Sequence, residues 1–229
     1  MAGIYRTLAF LPLARGRARR HAGAMRCEVI LYDGFDELDA LAPWEVLSSF
    51  ADLRDDFEAA LVSLDGAAPV RAAHGTLVTP HRALSESVDV LVVPGGGWND
   101  RSEEGAWAQA QLGALPAAIR ERHERGALVA SVCTGAMILA AAGLVDGRHA
   151  ITHHGAIADL EAAGAHVVHA RVVDDGDLVT AGGVTSGLDL ALHLAERFFG
   201  SDAALAAERE LEYERRGTVW RGSGRLSPV

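Results

Sequence analysis

Cysteine is scarce in this 229-residue chain: there are two, Cys27 and Cys133. Two cysteines give neither a disulfide framework nor the paired spacing of a closed zinc site, and they fit a reducing compartment, so the expected location is cytoplasmic. Basic residues are also short, 21 against 31 acids, for a net charge of −10. That balance disfavours nucleic acid and anionic membranes as partners. No apolar run approaches the roughly 20 residues that cross a bilayer. Neither a phosphate-binding Walker spacing nor G-x-G-x-x-G occurs, internal repeats and low-complexity linkers are lacking, and no cofactor or metal is expected.

The hydrophobic share is 49% and the mean hydropathy +0.12, enough for one good-sized domain. The first 24 residues stand apart: they hold Arg6, Arg15, Arg17, Arg19 and Arg20 and no acid, which leaves 16 bases against 31 acids in the remainder. Leu8 to Ala14 is too short, and too soon followed by arginines, for a secretory signal. The expectation is a disordered basic leader over 1–24, a single domain over 25–216 and a tail over 217–229.

Apolar runs alternate with helical patterns. Strands are expected at Arg26–Tyr32, Phe57–Leu64, Val88–Val93 and Gly126–Ala130, with Cys27 facing the core. A short turn is expected to carry Asp39, with a helix from about Pro43. One helix is expected over Gly105–Arg125, and another over Ala156–Ala163. His166–Val173 and Leu178–Ala181 read as two strands, Thr185–Phe199 as the strongest helix, Ala203–Arg216 as a solvated last helix, and Trp220–Val229 as a tail. This is a doubly wound, mostly parallel α/β pattern with helices on both faces, in which ligands bind at the carboxyl ends of the strands.

Three loops fall at such ends. Cys133 sits in Ser131-Val-Cys-Thr-Gly135, a sharp strand-to-helix turn of the nucleophile-elbow kind. The helix N-terminus is expected to favour the thiolate there; a core cysteine is the competing reading. Pro94-Gly95-Gly96-Gly97-Trp98 follows a buried strand, and the Gly96 and Thr134 N–H groups are expected to form an oxyanion hole. Asp39 lies in an apolar stretch, where burial raises its pKa and lets it share a proton with the thiol; Glu37 and Glu45 compete for that role. His153 and His154 follow a short strand, and adjacent side chains on extended backbone point opposite ways, so one of them is expected to face Cys133.

The segments Val90-Leu-Val-Val-Pro-Gly-Gly96, Ala130-Ser-Val-Cys-Thr-Gly135, Ala142-Gly-Leu-Val-Asp-Gly-Arg148 with Thr152-His153, and Thr180-Ala-Gly-Gly-Val-Thr-Ser-Gly-Leu-Asp189 resemble the ThiJ/PfpI superfamily, of class I glutamine amidotransferase-like fold. The resemblance covers about 25–200. It implies a flavodoxin-like α/β sandwich, a homodimer, and a cysteine at the elbow. Leu38-Asp39 followed by Ala42-Pro43, with Cys-Thr at the elbow, resembles the isonitrile hydratase branch. By that resemblance Asp39, Cys133 and Thr134 are catalytic. Gly96, Gly97, His153 and Trp98 are expected to line the substrate or oxyanion site, and the expected substrate is a small carbon–nitrogen compound. AraC-type regulators of the same branch carry a further helix-turn-helix region, and the chain's end at Val229 leaves no DNA-binding role expected. Two other readings stand: a redox or ligand sensor using Cys133, and glyoxalase or deglycase activity on dicarbonyls, which would favour glutamate in place of Asp39. In this sequence His154 departs from the pattern of many relatives, and Trp44 and Trp98 are bulky residues on the candidate loops.

Overall fold

The computed structural model describes residues 24–66 and 68–222; the expected leader, apart from Ala24, and the last seven residues of the expected tail lie outside them. In chain order the elements are β1 (Met25–Ile30), α1 (Glu37–Ala51), β2 (Phe57–Ser63), β3 (Val70–Arg71), β4 (Leu77–Val78), β5 (Arg82–Ala83) and β6 (Val90–Val93). Then come α2 (Ala106–Leu112), α3 (Ala114–Glu124), β7 (Leu128–Val132), α4 (Gly135–Ala141), β8 (His149–Ala150), a 3-10 turn (His154–Ala156) and α5 (Ile157–Ala162). The chain continues through β9 (His166–Val167), β10 (Val172–Asp174), β11 (Leu178–Ala181), α6 (Ser186–Phe199), α7 (Ser201–Glu210) and β12 (Trp220–Arg221).

Eight strands form one sheet in the order β12-β10-β11-β7-β6-β1-β2-β5. Every neighbouring pair is parallel except β10 with β11, so the sheet is mostly parallel. Strands β6, β7 and β11 are buried along their whole length, as a sheet covered on both faces requires. Helices α1, α6 and α7 pack together on one side, and α2 to α5 form the other layer. The central order β2-β1-β6-β7-β11 is the flavodoxin-like arrangement. From β1 the chain first builds outward to β2 and then returns to the opposite side at β6. The crevice beyond the carboxyl ends of β1 and β6 is therefore where a ligand is expected.

Several local expectations change. Helix α1 does not wait for Pro43. Asp36 caps it, accepting from the Leu38 N–H at 3.1 Å, and Asp39 lies in its first turn. Pro43 then sits inside the helix, where its missing N–H leaves the Asp39 carbonyl without a helical donor. The proline lies at a helix crossing: a Cβ on Gly187 of α6 would come within 3.2 Å of the Pro43 ring, so the two helices pack closely there. The helix expected over Gly105–Arg125 is two helices, because Gly113 at φ +77° closes α2 and opens α3. The strand expected from His166 to Val173 is also two: β9 pairs with β8 in a separate small sheet, and β10 pairs with β11.

The expected tail contributes to the main sheet, since Trp220 and Arg221 form β12 beside β10. The segment leading to it is held by buried Asp189 of α6. That carboxylate accepts from Arg171 (Nη2 2.6 Å, Nε 2.8 Å), the Tyr213 hydroxyl (3.1 Å) and the Arg216 N–H (2.7 Å). Composition alone does not reveal such an anchor, because acids spaced along an exposed-looking sequence read as a solvated helix. Among the described residues no helix is long and apolar enough to cross a membrane.

Candidate active site

Cys133 follows β7 directly and adopts φ +55°, a left-handed backbone that few non-glycine residues take up. The turn is fixed from three sides. The Cys133 N–H donates to the carbonyls of Ala181 (3.1 Å) and Gly182 (2.9 Å), and the Thr152 hydroxyl donates to the Cys133 carbonyl at 2.9 Å. Gly135 completes it: a Cβ there would lie 2.1 Å from the Val93 carbonyl oxygen, so only glycine lets α4 start this close to the end of β6. Cys133 is 6% exposed.

The glycine loop presses against this turn. A Cβ on Gly95 would lie 2.5 Å from both the Thr134 nitrogen and its hydroxyl oxygen. Two successive amides are used there. The Gly95 N–H donates to Asp39 Oδ2 at 3.0 Å, and the Gly96 N–H donates to Thr134 Oγ1 at 2.9 Å. The second bond bears on the expected oxyanion hole: in the structure the Gly96 amide is engaged by the Thr134 hydroxyl oxygen. The backbone amides that hydrogen-bond to the Cys133 sulfur are those of Thr134 and Val184.

Asp39 is completely buried. Its Oδ1 has no geometrically well-formed hydrogen bond among the described residues, while the carboxyl and the Cys133 thiol interact directly. Burial, and then the charge of Asp36, push the Asp39 carboxyl up from 3.8 to about 8, against the lowering effect of the Gly95 N–H and the thiol. Burial, and then Asp39, push the Cys133 thiol up from 9.0 to about 12, with the Val184 and Thr134 amides working the other way. These two influences act against the thiolate that the amides at the helix N-terminus favour. Helix α4 has only seven residues, and its partial charge is outweighed by desolvation and a facing carboxyl. Both shifts favour the protonated forms of the pair.

The two competing glutamates lie elsewhere. Glu37 accepts from the His74 backbone N–H at 3.0 Å and contacts its ring at 2.7 Å, beside the β3–β4 hairpin. Glu45 is six residues beyond Asp39 on α1, roughly 240° around a helix of 3.6 residues per turn.

His153 and His154 do not diverge as an extended pair would: they open a 3-10 turn, and their rings lie 4.1 Å apart. The His153 Nδ1 accepts from the Gly155 N–H at 3.1 Å, which leaves the proton of a neutral ring on Nε2. Its ring rests against Gly183, where a Cβ would come within 2.8 Å of it, next to Val184. The structure thus brings His153 to the edge of the Cys133 turn and leaves His154 exposed.

Trp98 is turned into the protein. Its indole N–H donates to Asp159 of α5 at 2.6 Å, and its ring meets Trp107 of α2 edge-on at 5.1 Å between centroids. Gly97, at φ +63°, shapes the loop: a Cβ there would fall 2.6 Å from the Glu104 carbonyl oxygen.

Three contributors escaped sequence reasoning. Val184 donates to the sulfur from the turn after β11; its signal was its place at the carboxyl end of a parallel strand. Asp36 acts on the Asp39 carboxyl through its charge. Tyr32, just after β1, is buried and donates its hydroxyl to the Pro94 carbonyl at 2.5 Å.

With this geometry in place, comparison with known proteins decides the family. The DJ-1/PfpI family model matches residues 25–197, three quarters of the chain and every element of the site. The chain belongs to the DJ-1/PfpI family. Among curated members of the family, it is 35% identical to isonitrile hydratase of Pseudomonas putida over 193 residues, covering 83% of this chain and 79% of that protein. It is 28% identical to a Parkinson disease protein 7 homolog of Danio rerio, covering 81% and 96% respectively. The fold superposes on a THiJ/PfpI family protein from Pseudomonas syringae with a TM-score of 0.74 at 28% identity, covering 85% of this chain and 77% of that one.

Proposed function

We propose that the protein hydrates a small isonitrile to an N-formamide through a covalent thioimidate on Cys133. One observation carries this reading: a completely buried carboxyl, Asp39, interacts directly with the Cys133 thiol, and burial favours the protonated form of both groups. The 35% identity to an isonitrile hydratase supports it.

An isonitrile has no leaving group. Its terminal carbon must gain both a sulfur and a hydrogen, so a proton carrier beside the thiol matters more than a strong base. In the first step the sulfur bonds to the terminal carbon, Asp39 gives its proton to that carbon, and the thiol proton passes to Asp39. The product is Cys133–S–CH=N–R, and Asp39 is again the acid. In the second step Asp39, acting through its carboxyl, takes a proton from water as its own proton moves to nitrogen, and the water oxygen adds to the carbon. Collapse of that adduct breaks the C–S bond, returns a proton to sulfur and releases HC(=O)–NH–R. Water is the only reagent consumed. The Thr134 and Val184 amides steady the sulfur as it loses and regains its proton. Thr134 also fixes the glycine loop through its hydroxyl, and His153 borders the substrate at the mouth. The substrate is a small molecule, and the working form is a homodimer.

A redox-sensing role for Cys133 requires thiolate character. Burial and Asp39 act against it, which favours the hydratase reading. The test is N-formamide production from an alkyl isonitrile by the purified full chain. Catalytic turnover is expected; its absence across short-chain, branched and aryl isonitriles would sink the assignment.

A further inference from the structure

The Pro94–Gly95 peptide group is gripped at both ends by buried side chains. Its carbonyl oxygen accepts from the Tyr32 hydroxyl at 2.5 Å, and its N–H donates to Asp39 Oδ2 at 3.0 Å. In a trans peptide these two groups point in opposite directions, so Tyr32 and Asp39 are joined in line through one conjugated unit. We propose that Tyr32 is a positioning residue for Asp39, acting through the Pro94–Gly95 peptide. A hydrogen bond to a carbonyl oxygen draws electron density from the amide and makes its N–H a stronger donor. The Tyr32 hydroxyl therefore strengthens the one hydrogen bond that favours the Asp39 carboxylate, and holds Oδ2 so that the rest of the carboxyl is left to the thiol.

The bond is well suited to this. Burial, and then the charges of Asp39, Cys133 and Asp36, keep the Tyr32 hydroxyl protonated far above neutral pH, so it remains a donor throughout the working range. The peptide itself cannot drift. Next to it the Gly95 carbonyl accepts from the Asp36 N–H at 2.8 Å, and the Gly96 N–H is bound by Thr134. The groups that set the Asp39 proton are then Asp36 at the α1 cap, Cys133 on the β7–α4 turn, and the Gly95 amide with Tyr32 behind it. Of these the tyrosine alone can be altered without changing a charge or a contact atom of the carboxyl.

The inference rests on reading Asp39 as the proton carrier, but its test does not need substrate. The carboxylic-acid C=O band of Asp39, assigned as the band that Asp39→Asn removes, is followed against pH by infrared spectroscopy on the full chain. Tyr32→Phe deletes the hydroxyl, weakens the Gly95 bond and is expected to move the midpoint up by about 0.5 pH unit. Replacing Tyr32 with 3-fluorotyrosine makes the hydroxyl a stronger donor and is expected to move the midpoint down. Opposite shifts support the relay. An unchanged midpoint in either variant, a shift of the same sign in both, or no band removed by Asp39→Asn would overturn it. An absence of isonitrile turnover would count against the hydratase assignment alone, since the infrared midpoint is read without isonitrile.

Discussion

Cys133→Ala is expected to lower N-formamide production from an alkyl isonitrile by about 10⁴-fold or more, to the level of the uncatalysed reaction. The loss is this large because no other group can take over bond formation. The second thiol, Cys27, is 1% exposed in the middle of β1, where burial and the nearby acids hold it protonated. Alanine keeps the fold. It accepts the left-handed backbone at position 133 about as well as cysteine does, and the main-chain bonds to Ala181 and Gly182 and from Thr152 are untouched. Steady-state formamide assays with thermal melts on the same samples check both halves. A variant that melts like wild type and retains more than a tenth of its activity would remove the sulfur from the mechanism.

Asp39→Asn is expected to separate activity from stability in opposite directions. Asparagine copies the shape of the protonated acid and can still accept from the Gly95 N–H, but it cannot pass a proton on, so kcat should fall by about 10²- to 10⁴-fold. Stability follows from the position of the carboxyl. In the folded chain burial and Asp36 raise it to about 8, while in the unfolded chain it titrates near 3.8. Between those values the folded state keeps a proton that the unfolded state has released. Wild-type stability from this group is therefore fully present below about pH 4 and is lost as pH rises toward 8. Asparagine carries no such penalty. Melting curves at several pH values should coincide for the two proteins near pH 4 and diverge by several degrees at pH 8, with the variant the more stable. Parallel curves across that range would show that Asp39 is not the buried neutral acid described here.

The parts of the site that could be read from sequence are those set by local pattern. Cys133 was legible because a buried strand, two turn residues and a small-residue helix follow one another without a break. The glycine loop was legible because it ends another buried strand, and the α/β layering followed from their alternation. Asp39 was legible as a buried acid but was placed on the wrong element. Pro43 reads as a helix start, whereas in the structure it lies inside the helix, at the close crossing with Gly187. What remained hidden depends on contacts between distant segments. Tyr32 is an ordinary strand residue until its hydroxyl is found on the Pro94 carbonyl, 62 positions away. The influences on the thiol divide in the same way. A helix N-terminus can be seen locally, whereas the burial and the facing carboxyl that outweigh it are properties of the folded chain. His153 and His154 read as extended until the 3-10 turn brings their rings together.

The central claim, that isonitrile carbon bonds to Cys133 on the way to formamide, is tested most directly by rapid-quench mass spectrometry of the wild-type chain mixed with an alkyl isonitrile. The account predicts a transient gain equal to the whole mass of the isonitrile, located on the peptide that contains Cys133 and decaying as formamide appears. Formamide released at full rate with Cys133 unmodified at every time point would contradict it.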